Sequence, residues 1–98
     1  MNFNIINCNN FKKRFLGMMF LKEKTSNGYY FKKCNSIHTF FCKYPLDVIL
    51  LDKNNYIIDI KYNLKPWKIF KFKCYSIIEF NHGIINKTLD KSYFKNLI

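Results

Sequence analysis

The sequence predicts a mainly β (α+β) fold, a small antiparallel β-barrel or folded sheet with one short N-terminal helix. Three observations carry this. Tyr56 to Tyr62 and Lys68 to Cys74 alternate apolar and polar residues at the period of a strand with one wet face. Asp47-Val48-Ile49-Leu50-Leu51 is apolar beyond Asp47 without alternation, as in a strand covered on both faces. Turn-forming clusters at Asn27-Gly28 and Asp52-Lys53-Asn54-Asn55 separate such segments, and only one stretch carries helical spacing.

That stretch comes first. Phe11, Phe15, Met18 and Met19 fall on one helical face with Lys12 and Lys13 off it, after Asn9 and Asn10 as possible caps, and Gly17 weakens the last turn. Asn27-Gly28, the strongest turn dipeptide, leads into the aromatic strand Tyr29-Tyr30-Phe31. Ile37 to Cys42 reads as a strand interrupted by Pro45, and Asp47 to Leu51 as the covered strand after it. The Asp52 to Asn55 turn returns the chain as an antiparallel partner with Ile58, Ile60 and Tyr62 on one face and Asp59 and Lys61 on the other. Phe70, Phe72 and Cys74 point inward on the next segment, and Ser76 to Phe80 is a further strand ended at Gly83. Ile84 to Ile98 is mixed, readable as a short helix and a last edge strand. The expected arrangement is a meander of five to seven short strands.

Ninety-eight residues, 49% of them hydrophobic, suffice for one modest core, and no linker or repeat divides the chain, so residues 1–98 are read as a single domain. Seventeen basic against six acidic residues give a net charge of +11, which favours an anionic partner such as nucleic acid. Against this, the chain lacks Ala and Gln and is dominated by Lys, Asn, Ile, Phe and Tyr, the residues of AT-rich codons. An AT-rich genome raises Lys at every tolerant surface position and leaves Arg14 as the sole Arg, whereas phosphate and base-edge recognition favours Arg. Nucleic acid is therefore a disfavoured partner. Met1 to Asn7 shows no signal-peptide pattern and no apolar run reaches the roughly 20 residues of a membrane span, so the expected location is cytoplasmic, with mostly free thiols at Cys8, Cys34, Cys42 and Cys74.

Ile37-His38-Thr39-Phe40-Phe41, then Tyr44-Pro45-Leu46-Asp47-Val48-Ile49 and Leu51-Asp52, resembles the signature of the bacterial and archaeal family called domain of unknown function 192, in its Ile-His-Thr-Phe-Phe form. Arg14-Phe15-Leu16-Gly17-Met18-Met19 is similar to the family's early Arg followed by Gly-Leu-Met, Leu64-Lys65-Pro66-Trp67-Lys68 to its Leu-Lys-Pro-Trp-Arg, and Glu79-Phe80-Asn81-His82-Gly83 to its Glu-Leu-Pro-Ala-Gly. The resemblance covers about residues 11–83. Leu21 stands where many members have Arg, Cys42 where Met is usual, and Asn81-His82 where Pro-Ala is usual. The closing Gly-Asp is missing, so the tail 84–98 is divergent. Such a resemblance implies the small β-rich fold and leaves activity to the residues.

Three constellations have functional readings. Cys34, His38 and Cys42 are spaced C-x3-H-x3-C, with Cys8, Cys74 or His82 to complete a set, but there is no Cys-x2-4-Cys knuckle and strand positions 38 and 42 lie roughly 13 Å apart, so no metal or cofactor is expected. Cys42 and Cys74 read as small core residues. His38 with Asp47 or Glu79 would make an acid-base cluster; the structural alternative has Asp47 bonding backbone amides beside Pro45 and His38 as a buried polar group holding two strands in register. Pro66-Trp67 with Tyr62 and Phe70 would form an aromatic wall beside Lys68, Lys71 and Lys73, a stacking platform in outline, or Trp67 would plug a barrel end. No nucleophile elbow or phosphate loop is present. The leading expectation is a noncatalytic ligand-binding or accessory module for a small molecule or protein, with its site at His38, Thr39, Asp47, Trp67 and Glu79. The alternatives are a small hydrolase-like enzyme and a basic nucleic-acid-binding domain.

Overall fold

The computed structural model describes residues 5–8, 27–40 and 42–85. Within them lie seven strands: β1 (Ile5–Asn7), β2 (Gly28–Phe31), β3 (Ser36–His38), β4 (Leu46–Leu51), β5 (Ile57–Leu64), β6 (Ile69–Lys71) and β7 (Ser76–Asn81). Five form one sheet in the order β1-β2-β7-β4-β5, and β3 pairs with β6 in a second. The β1–β2 pair is parallel and the others are antiparallel. The fold is mainly β, with no helix among the described residues. The helix expected over Phe11–Met19 lies outside them, as do Arg14, Leu21 and residues 86–98 of the tail.

Neither a meander nor a closed barrel results. The β4 and β7 strands are buried at every position, so they take the centre, where both faces are covered. Amphipathic β5 is left at an edge, joined to β4 by a turn in which Asp52 Oδ1 accepts the amides of Asn54 (2.8 Å) and Tyr56 (3.0 Å). The β6 strand turns Phe70 inward and Ile69 and Lys71 outward, and it pairs with β3 rather than joining the large sheet.

Two residues depart from their expected local roles for packing reasons. Gly28 forms no hairpin turn: it opens β2 beside Ile5, and a Cβ there would lie 2.5 Å from Phe80 Cζ and 2.8 Å from Ile5 Cδ1. The strand expected over Ile37 to Cys42 stops at His38, because Thr39 turns its backbone toward the loop before β6.

Each face of the large sheet carries its own core. One gathers Phe31, Leu46, Val48, Leu50 and Ile77 beneath Ile37, Phe70 and Phe72 of the small-sheet layer, with Cys8 and Cys42. The other gathers Tyr30, Ile49, Leu51, Ile57, Ile78 and Phe80. Cross-strand partners share a face, so Glu79, opposite Val48 and Tyr29, belongs to the first, and Asp47, opposite Phe80, belongs to the second.

Candidate functional site

The site is built outward from Thr39. Its backbone N–H donates to Lys68 O (2.8 Å), and its carbonyl accepts from Trp67 N (2.9 Å) and Cys42 N (3.2 Å). Its hydroxyl donates to Lys65 O (2.7 Å) and accepts from Lys68 N (3.0 Å), standing between the two groups that a tight turn would otherwise join directly. Fully buried, Thr39 clamps the Lys65-Pro66-Trp67-Lys68 turn onto the end of β3.

That turn holds Trp67 in an unfavourable backbone conformation. Pro66 at the second position and a positive φ at the third are the requirements of a type II turn, which normally puts Gly third. Here the third residue is Trp67, with φ 65°, a region that costs a bulky residue about 1–2 kcal/mol. The indole is nevertheless 61% exposed. Beside it, Phe40 lies with ring centroids 6.2 Å apart, and His38 stacks on Phe40 at 5.2 Å and an interplanar angle of 27°. The cross-strand partner of His38 is Ile69, 66% exposed. The outer face of the small sheet is thus a strip of exposed His38, Trp67 and Ile69 around half-buried Phe40, among the exposed residues Lys65, Lys68 and Lys71.

Asp47 organises a second, mostly covered cluster. Its Oδ1 accepts from Asn63 N (2.8 Å) and pairs with His82 Nδ1 (2.7 Å), while Oδ2 accepts from Gly83 N (3.0 Å). Asn63 at φ 57° and Gly83 at φ 94° are both left-handed, so the carboxylate holds an irregularity in β5 and the turn after β7 together. His82 N also donates to Pro45 O (3.0 Å). The carboxylate side chain is 1% exposed and the imidazole 45%, giving a buried acid that orients a half-exposed ring. The Tyr62 phenol is pushed up by partial burial and by the Asp47 charge.

Glu79 is the other buried acid. No hydrogen bond or ion pair from the described residues reaches its carboxyl, and burial alone pushes its pKa up to about 8. Cys42, in the same core, is pushed up to about 11 by burial first and the Glu79 charge second, so it is an inert thiol rather than a nucleophile. Cys74 is raised by burial and by Cys34, and Cys74 Sγ donates to Cys34 O at 3.5 Å. No disulfide joins any of the four cysteines.

The five residues expected to share a site therefore fall in three places. His38 and Trp67 flank Phe40 on the exposed strip, with Thr39 beneath them. Asp47 and Glu79 lie on opposite faces of the large sheet, and the histidine that meets Asp47 is His82, not His38. The expectation of a buried, register-holding His38 is corrected: β3 alternates with only Ile37 inward, which turns His38 to solvent. Trp67 plugs no barrel end, since the sheets leave no closed end and the turn projects the ring outward. Asp47 does bond backbone amides near Pro45, as its structural reading had it. Sequence reasoning missed Ile69, and it considered His82 only as a metal ligand rather than as the partner of Asp47. Ile69 was legible as the outward apolar residue of an alternating strand, whereas nothing in the sequence linked His82, after a strand between Asn81 and Gly83, to Asp47.

Two sheets packed face to face, an open strand order and an aromatic strip over a clamped Pro-Trp turn define a small mainly β protein. Residues 2–90 match the profile of the DUF192 family, described as Uncharacterized ACR. The chain belongs to this family. Among curated relatives, the UPF0127 protein of Pyrococcus horikoshii is 38% identical over 83 residues, spanning 79% of this chain and 71% of the relative. That of Pyrococcus furiosus is 36% identical over 84 residues, spanning 80% and 72%. Two solved structures share the fold. A protein of unknown function from Novosphingobium aromaticivorans superposes with a TM-score of 0.67 at 19% identity over 84% of this chain, which spans 65% of that one. A Sinorhizobium meliloti protein, provisionally named a transcription regulator, gives 0.69 at 18% identity over 82% of this chain and 69% of its own.

Proposed function

We propose that this protein is a noncatalytic binding module whose contact surface is the His38–Phe40–Trp67–Ile69 strip. The observation that carries the reading is Trp67: a large, exposed aromatic ring kept in a left-handed backbone conformation by a buried threonine. Stability alone would favour Gly at that position and a polar residue in that exposure, and backbone strain of this kind is concentrated at binding and catalytic sites. In this assignment His38 and Trp67 touch the ligand and Thr39 positions Trp67. Asp47 and Glu79 act through the fold rather than at the contact.

The geometry supports an acid-base enzyme less well. Both oxygens of Asp47 are engaged by backbone amides as well as by His82, and the two acids are separated by the sheet. The binding reading is tested by nuclear magnetic resonance of labelled protein titrated with separate panels of oligonucleotides, glycans and peptides. Shifts confined to residues 36–40 and 65–71 support it. Ligand-induced shifts centred on Asp47, Asn63 and His82 would refute it in favour of the second cluster.

A further inference from the structure

We infer that the ligand of the strip is single-stranded nucleic acid, bound by stacking of bases on Trp67 and its neighbouring rings and by contact of the phosphates with Lys65, Lys68 and Lys71. This rests on the binding reading and names its ligand class. Codon bias explains abundant lysine over the whole surface, but it does not explain where the carboxylates are missing. The segments that build the small sheet and its loops, residues 27–46 and 62–78, contain three and four lysines respectively and no Asp or Glu. Of the four acids among the described residues, Asp47 and Glu79 are buried, while Asp52 and Asp59 lie on the β4–β5 hairpin, where Asp59 pairs with Lys61 at 3.0 Å. The aromatic strip is thus set in a field of one sign.

The field continues beyond the strip. Lys71, on the same outer face of β6 as Ile69, also lines an open groove of about 390 Å³ together with Lys73, Phe72, Leu50, Ile58 and the ion pair of Lys61 with Asp59. With Lys61 paired to Asp59, the cations that a chain of negative charges leaving the rings along β6 meets there are Lys71 and Lys73. Exposed rings beside a cationic track are the pattern of sequence-tolerant single-strand binding, because every base offers a π-face. Base-edge readout is not provided for: no arginine occurs among the described residues, so discrimination between sequences is expected to be weak.

Trp67 is the only tryptophan in the chain, so its emission reports on the proposed contact directly. Titration with oligothymidylate is expected to quench it, whereas inorganic polyphosphate, which has charge without bases, is expected to bind without quenching. The log–log salt dependence of oligonucleotide affinity should have a slope of about −2, from roughly 0.7 per phosphate contacted by the three lysines. By anisotropy of a labelled oligonucleotide, Lys68→Ala with Lys71→Ala should flatten that slope by about 1.4, and Lys53→Ala on the hairpin should leave it unchanged. Trp67→Asn, whose side chain tolerates the left-handed backbone, should weaken binding roughly tenfold while the thermal midpoint does not fall. Equal affinity for polyphosphate and oligonucleotide without quenching would overturn the inference in favour of bare charge attraction. If oligonucleotides leave the strip unperturbed while a glycan or peptide shifts it, this inference falls and the binding reading stands. If nothing perturbs the strip, both fall.

Discussion

Replacing Glu79 by Gln tests the reading of the large sheet most directly. Glu79 is 8% exposed, faces Val48 and Tyr29, and has its pKa raised from 4.5 to about 8 by burial alone. The folded state therefore holds this proton more tightly than the unfolded state does, and stability contributed by the neutral carboxyl is lost as pH rises through the window from 4.5 to about 8. Integrating the difference in proton binding gives about 4 kcal/mol lost between about pH 5 and pH 9, an upper figure because water entry or local adjustment relieves part of it. Gln mimics the neutral form and removes the titration. Urea unfolding followed by circular dichroism across that range should show the parent losing stability relative to Glu79→Gln as pH rises. Above about pH 8 the variant should be the more stable protein. Parallel pH profiles for the two proteins would refute the argument, as would a parent that gains on the variant with rising pH.

Thr39→Val keeps the shape and removes the hydroxyl bridging Lys65 O and Lys68 N, so a loss of about 1–3 kcal/mol is expected in urea unfolding, with altered Trp67 emission. Asp47→Asn removes a buried charged acceptor of two backbone amides and the His82 ring, and about 2–3 kcal/mol should be lost; His82→Ala, at a half-exposed ring, should cost less. Trp67→Gly should raise stability by about 1 kcal/mol by relieving the φ of 65° while weakening oligonucleotide binding roughly tenfold, as calorimetry and anisotropy would show.

Much of the fold was legible because local pattern and burial agree. The unbroken apolar run of β4 announces a strand covered on both faces, the alternation after the Asp52 turn announces its wet partner, and Phe70, Phe72 and Cys74 point inward as their spacing requires. What was not legible is pairing at long range. Periodicity says that β7 is apolar throughout but not that it separates β2 from β4, nor that β6 leaves to join β3. The same limit governs the site. Trp67 and His38 were recognisable as residues worth attention, yet the ring-to-ring contacts through Phe40 depend on a turn held by Thr39, and the meeting of Asp47 with His82 depends on two strands 35 residues apart. Gly28 shows the converse: a residue read as part of a turn opens β2, where Phe80 and Ile5 leave no room for a Cβ.

The central place of β7 has a consequence for how the chain comes to be folded. Its partner β2 ends at Phe31 and its partner β4 at Leu51, so both are synthesised well before Ser76–Asn81 exists to bridge them. Without β7 the β4–β5 hairpin would have one long apolar edge unmatched, and β2 would have no antiparallel neighbour. Pairing β7 with β2 and β4 closes loops of tens of residues, the kind of long-range contact that slows folding.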